Sequence, residues 1–137
     1  MLFFSDETFT VLCDIIKNNV GLTFIDLSHC ELTDGNLVNL IDVFEFNAHS
    51  SLTIIALQKN CISSQGAVSL AKMLTRDCSI TTINLSDNFI DSEGALALED
   101  ALRINCTITV IFLNNNFLDT QTVELITKKP NDRINVN

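Results

Sequence analysis

Basic residues are scarce in this chain: eight lysines and arginines stand against 17 aspartates and glutamates, a net charge of −9 over 137 residues. Affinity for nucleic acid is built largely on clustered Lys and Arg, so a phosphate backbone is excluded as the expected partner, and ordinary solubility charge accounts for the acidity. Apolar runs are short as well. None approaches the about 18 to 20 residues that cross a bilayer. The opening Met1-Leu2-Phe3-Phe4 is too short for the core of a signal peptide and lacks its basic start, so no membrane association and a cytoplasmic location are expected. The five cysteines, Cys13, Cys30, Cys61, Cys78 and Cys106, form no CxxC and have no histidine at zinc spacing. Reduced, partly buried thiols are the expectation. No glycine-rich loop of the kind that cradles phosphate is present, and no metal or cofactor is expected.

What the chain has instead is repetition. Leu52, Ile80 and Ile108 stand 28 residues apart (52 + 28 = 80, 80 + 28 = 108) and open the phrases LTIIALQKNCI, ITTINLSDNFI and ITVIFLNNNFL, with a fourth, LTFIDLSHCEL, at Leu22. Such a period marks a solenoid, in which each unit leaves an apolar face that only its neighbour covers. Counting the opening residue as zero, Ile25, Ile55, Ile83 and Ile111 fall at plus three and Leu27, Leu57, Leu85 and Leu113 at plus five. That alternation predicts a short strand with one buried face. Cys30, Asn60, Asn88 and Asn116 follow at plus eight. A buried amide both donates and accepts, so stacked copies satisfy the backbone where the strand turns away; Cys30 does this only weakly.

Capping chemistry comes next, at plus eleven and twelve: Thr33-Asp34, Ser63-Ser64, Asp91-Ser92 and Asp119-Thr120. Short oxygen-bearing side chains satisfy the free N–H groups that open a helix. Leu40, Leu70, Leu98 and Ile126 at plus eighteen, then Phe44, Leu74 and Leu102 at plus twenty-two, supply one apolar stripe. Each repeat is therefore strand, turn and helix, with all strands parallel. Residues 1–21 keep the register backward, with Phe4, the cap pair Ser5-Asp6, Leu12 and Ile16, and predict a helical half repeat that covers the N-terminal end. Full repeats span 22–51, 52–79, 80–107 and 108–130, the first lengthened by two residues between Phe46 and Ser51 (52 − 22 = 30). The last stops at Lys128-Lys129-Pro130, because proline cannot continue a helix. In 131–137, Ile134 and Val136 predict a fifth, terminal strand. Cys78 and Cys106 share a place in adjacent repeats, which leaves a disulfide open.

These residues resemble the ribonuclease-inhibitor-like class of leucine-rich repeat, whose phrase LxxLxLxxNxI plus a helix is matched from Leu22 to Leu118. Gly66 and Gly94 at plus fourteen fit that class, while Asn36 and Thr122 depart from it. The resemblance implies an α/β solenoid of a single domain, a curved arc with parallel strands on the concave face and helices on the convex face.

In such an arc the outward strand residues line the concave wall. Phe24, Ile54, Val110 and Phe112 are large and apolar yet face away from the core by parity, and such a patch marks a contact site. Asp26, Gln58, Lys59, Asn84, Asp87 and Asn114 stand among them as polar selectors. Five strands at about 4.8 Å make a wall only about 20 to 25 Å wide, suited to one helix or loop of a partner. The competing reading is that the C-terminal tail, or a second copy of the chain, covers Val110 and Phe112.

Catalytic constellations are not found. Cys30 is expected to point inward, which separates it from His29, and His49 has no carboxylate column beside it. Capping explains Asp34, Asp91, Glu93 and Asp119 without a metal. The motifs Asn84-Leu85-Ser86 and Asn105-Cys106-Thr107 match the glycosylation pattern but have no secretory signal to give them meaning. The reading is a non-enzymatic protein-interaction module. Its alternatives are a regulator of a small GTPase or of actin filament ends, a host-directed bacterial effector built on the same repeat, or a homodimer through the C-terminal edge.

Overall fold

In the computed structural model, residues 4–46, 51–76, 79–128 and 132–137 are described. Helix and strand alternate throughout: α1 (Asp6–Lys17), β1 (Phe24–Asp26), α2 (Asp34–Phe46), β2 (Ile54–Ala56), α3 (Ser64–Leu74), β3 (Thr82–Asn84), α4 (Ser92–Leu102), β4 (Val110–Phe112), α5 (Thr120–Thr127) and β5 (Ile134–Asn135). The five strands form one parallel sheet in sequence order. Parallel neighbours need a crossover connection, and α2, α3, α4 and α5 supply the four, so the helices stack in the same order along the other side.

The register follows the repeat. Ile25 lies opposite Ile55, Ile55 opposite Ile83, Ile83 opposite Ile111 and Ile111 opposite Ile134. Together with Leu57, Leu85, Leu40, Leu70 and Leu98 this ladder fills the space between sheet and helices, and the central members are wholly buried. At the N-terminal end α1 packs on α2 through Phe9 and Ile16, with Phe4, Leu12 and Cys13 half-buried against the same core. The expected half repeat thus covers the open end, and Phe9 joins the stripe that Leu12 and Ile16 announce. The expected fifth strand is present as β5. The two-residue insertion at 47–50, His49, Cys78 and the Lys129-Pro130 stop lie outside the described residues.

The amide column ties strand to strand. Asn60 Oδ1 accepts from Cys30 N–H at 3.0 Å and Leu32 N–H at 2.9 Å, and its Nδ2 donates to the carbonyls of Leu27 and Leu57, both at 2.9 Å. Asn88 and Asn116 repeat this: they accept from Ile62 and Ile90 N–H and donate to the carbonyls of the preceding and the same strand. Each amide serves the repeat before its own. The first repeat has no strand before it, so Cys30, whose thiol reaches only Ser28 O at 3.2 Å, stands there without penalty. Burial raises the Cys30 thiol pKa, and that of Cys13 likewise.

The capping pairs also join neighbours. Ser63, Asp91 and Asp119 are N-caps. The adjoining residues reach forward one repeat, with Asp34 accepting from Ser63 N–H at 2.8 Å, Ser64 Oγ accepting from Asp91 N–H at 2.9 Å and Ser92 Oγ from Asp119 N–H at 3.0 Å. Close approach explains the glycines at plus fourteen. A Cβ on Gly94 would stand 2.8 Å from Ile90 Cγ2 and 3.0 Å from Ser64 Cα. Gly94→Ala is expected to cost about 1 to 3 kcal/mol by overpacking, measured as a lowered urea midpoint. Gly35→Ala, whose Cβ would meet nothing nearer than Thr33 Oγ1 at 3.7 Å, is expected to leave the midpoint unchanged or slightly raised.

Candidate functional site

Strand parity and burial place the outward residues as the repeat requires: Phe24, Ile54, Thr82 and Val110 share one row, and Asp26, Ala56, Asn84, Phe112 and Asn135 the next. Phe24 (51% exposed) and Ile54 (39%) are direct neighbours in the sheet and form an apolar pair at the N-terminal end. Val110 and Phe112 lie on β4, are only half-buried, and have β5 beside them. Thr82, Ala56 and Asn84 separate the two pairs. The four apolar anchors are therefore two patches on one wall, not one continuous stripe, and Ala56 is small enough to be buried between its neighbours.

Polar side chains on this wall are largely committed to each other. Asp26 Oδ1 accepts from Ser28 Oγ at 2.6 Å and Ser28 N–H at 3.0 Å. Those bonds hold its carboxyl below the usual range, so it stays ionised on the wall. Asn84 Oδ1 accepts from Ser86 N–H at 3.0 Å, the same local turn two strands along. Ser86 Oγ lies 3.2 Å from Asn114 Oδ1, and Asp87 Oδ1 accepts from Asn115 Nδ2 at 3.0 Å. Lys59 is exposed, and Gln58 Oε1 is buried without a hydrogen-bond partner among the described residues. The plus-seven column has one property that periodicity alone did not reveal: His29, Lys59, Asp87 and Asn115 all hold left-handed backbone, with φ of 55 to 58°. The N–H groups of His29, Lys59 and Asp87 still donate to the neighbouring segment, to Gln58, Ser86 and Asn114 O, so the column marks the end of the ladder.

Asn105 is buried, its Nδ2 donating to Leu74 O at 2.8 Å and its Oδ1 accepting from Thr107 and Ile108 N–H. Its Asn-x-Thr phrase is a turn support, not an accessible acceptor. Of the described cysteines, Cys61 and Cys106 are exposed, contrary to the expectation of burial, while Cys13 and Cys30 are covered. The column of Cys61 continues as Phe89 and Phe117, both exposed and stacked with ring centroids 5.9 Å apart. Sequence reading missed this pair because it counted outward residues on the strand only.

A family model described as Leucine Rich repeat matches residues 48–71 and 76–98. Among solved structures, actin-binding site 2 of leiomodin-1 superposes with a TM-score of 0.81 over 97% of this chain and 81% of that chain, at 24% identity. This is a leucine-rich repeat fold. A search of curated proteins returns no match. The leucine-rich repeat arc thus carries its helices outside and a five-stranded wall inside, and the two apolar patches lie on that wall.

The caps of this arc make its stability depend on pH. Asp91 is lowered chiefly by its bond with Ser64, and Asp119 chiefly by Thr122 N–H. A carboxyl lowered in the folded state binds fewer protons than it does unfolded, so its contribution is full above the ordinary value near pH 4 and is lost as pH falls through the lowered one. Urea midpoints are expected to fall on acidification below about pH 4, and less steeply in a variant carrying Asp91→Asn and Asp119→Asn, because asparagine caps without titrating.

Proposed function

We propose that the arc is a non-enzymatic protein-interaction module that binds one helix or loop of a partner on its concave wall. The observation that carries this is the exposed Phe24–Ile54 pair, direct neighbours on a wall where polar Asp26, Thr82 and Asn84 also face outward. Val110 and Phe112 form a second anchor, with Asp26, Lys59, Asn84 and Asp87 selecting around them. Recognition energy concentrates on a few such aromatic and aliphatic residues. The 28-residue period supports the ribonuclease-inhibitor-like subclass.

A second reading, actin binding, is favoured by one observation: a solved structure that superposes on nearly the whole chain is an actin-binding site of leiomodin-1. Two assays separate these readings. In co-sedimentation with filamentous actin, pelleting of this chain supports actin as the partner. In affinity capture with quantitative mass spectrometry, replacing Ile54 and Phe112 together by Asp is expected to remove specific partners. Capture unchanged by that substitution contradicts the concave site, whether or not actin is among the proteins recovered.

A further inference from the structure

The segments leaving the sheet build a second, shorter ladder on one rim of the arc. Cys61, Phe89 and Phe117 N–H each donate at 2.8 Å to the carbonyls of Leu32, Ile62 and Ile90. The paired residues are Thr33 with Cys61, Ser63 with Phe89 and Asp91 with Phe117. Because Leu32, Ile62 and Ile90 are buried, parity turns the residues on either side of them outward. Phe89 is 55% and Phe117 65% exposed, and their rings stack with 12° between planes.

Packing does not demand aromatic rings here, since the same column holds Glu31 and Cys61 in the earlier repeats. Carboxylates lie close to both rings in the sequence and in the ladder. Phe89 is flanked two residues away on each side by Asp87 and Asp91, and Phe117 has Asp91 beside it in the ladder and Asp119 two residues on. Asp91 and Asp119 are exposed, and their N-cap bonds fix them at the ridge. A cation is attracted to an aromatic face, and a carboxylate at its side completes the complement.

We propose that this rim binds an extended, arginine- or lysine-bearing segment of a partner protein, its cationic side chains lying on the Phe89–Phe117 stack and pairing with Asp91 and Asp119. A second copy of this chain is a poor occupant, because its own rim would bring like carboxylates together. The rim is distinct from the concave wall and neither reading depends on the other.

The test is fluorescence anisotropy with a short labelled peptide alternating arginine and alanine, set against one alternating glutamate and alanine. The arginine peptide is expected to bind with an affinity that falls with salt, and the glutamate peptide not to bind. Replacing Phe89 and Phe117 by Ser is expected to weaken binding about tenfold, given the usual strength of cation–aromatic contacts. Asp91→Asn with Asp119→Asn keeps both caps, and is expected to weaken binding similarly and flatten the salt dependence. Ile15→Ser, on the exposed face of α1 and part of neither surface, is expected to leave the peptide's affinity unchanged. Affinity unaffected by the Phe89 and Phe117 substitutions, equal binding of both peptides, or no binding at about 1 mM peptide overturns the proposal. So does self-association that disappears with Phe117→Ser, which makes a second copy the occupant.

Discussion

Asn60→Ala is expected to destabilise the protein by about 4 kcal/mol, a large share of the roughly 5 to 15 kcal/mol that keeps a domain folded. Four buried backbone groups lose their partner at once: the N–H of Cys30 and Leu32 and the carbonyls of Leu27 and Leu57. Each group left unsatisfied in the interior costs about 1 to 3 kcal/mol, and partial relaxation keeps the sum below the simple total. Asn60→Asp retains the acceptor but sets a buried carboxyl against the carbonyls of Leu27 and Leu57, and is expected to cost at least as much at neutral pH. Cys30→Ala, in the same column, is expected to change stability by less than about 1 kcal/mol, since its thiol makes one weak bond. Urea unfolding of the three variants measures the contrast.

Ile83→Ala is expected to cost about 3 to 5 kcal/mol, the transfer and cavity terms for a wholly buried aliphatic side chain. Position in the stack adds to the effect. Ile83 lies between Ile55 and Ile111, so a cavity there weakens the interface with the repeat on either side. Ile134 has one neighbour, Ile111, in the two-residue β5. In a quasi-one-dimensional fold stability is a sum of repeat and nearest-neighbour contributions. Ile134→Ala is therefore expected to fray the end and to lower the midpoint about half as much. Amide exchange distinguishes the two, with protection lost throughout the sheet in the first and only near β4 and β5 in the second.

The repeat made most of the fold legible. Ile and Leu at plus three and five fix which strand face is buried, the amide at plus eight marks where the strand ends, and the Ser, Thr or Asp at plus eleven marks where the helix begins. Their spacing leaves one parallel arrangement, and the Ile25-to-Ile134 register is that arrangement. Less was legible on the surface, because outward side chains are set by neighbours in space. Parity alone turns Phe24 and Ile54 outward and gives Val110 and Phe112 the same exposure, yet the flanking β5 half covers the latter pair. The left-handed backbone at His29, Lys59, Asp87 and Asn115 is a property of the turn that the spacing of apolar residues does not carry. Phe89 and Phe117 escaped because a residue between the amide and the next apolar position belongs to no strand by pattern, although it joins a ladder in space.

The most direct measurement is solvent paramagnetic relaxation of isoleucine δ1 methyl groups in the presence of a soluble gadolinium chelate. Adjacent residues Ile54 and Ile55 face opposite sides of one strand, at 39% and 0% exposure. Ile54 is expected to relax strongly, as are Ile15 and Ile104 on the outer surface. Ile55, Ile83 and Ile111 are expected to be protected to a common degree. Protection of Ile54, or strong relaxation at Ile83, would contradict an inward ladder that presents the concave wall for binding.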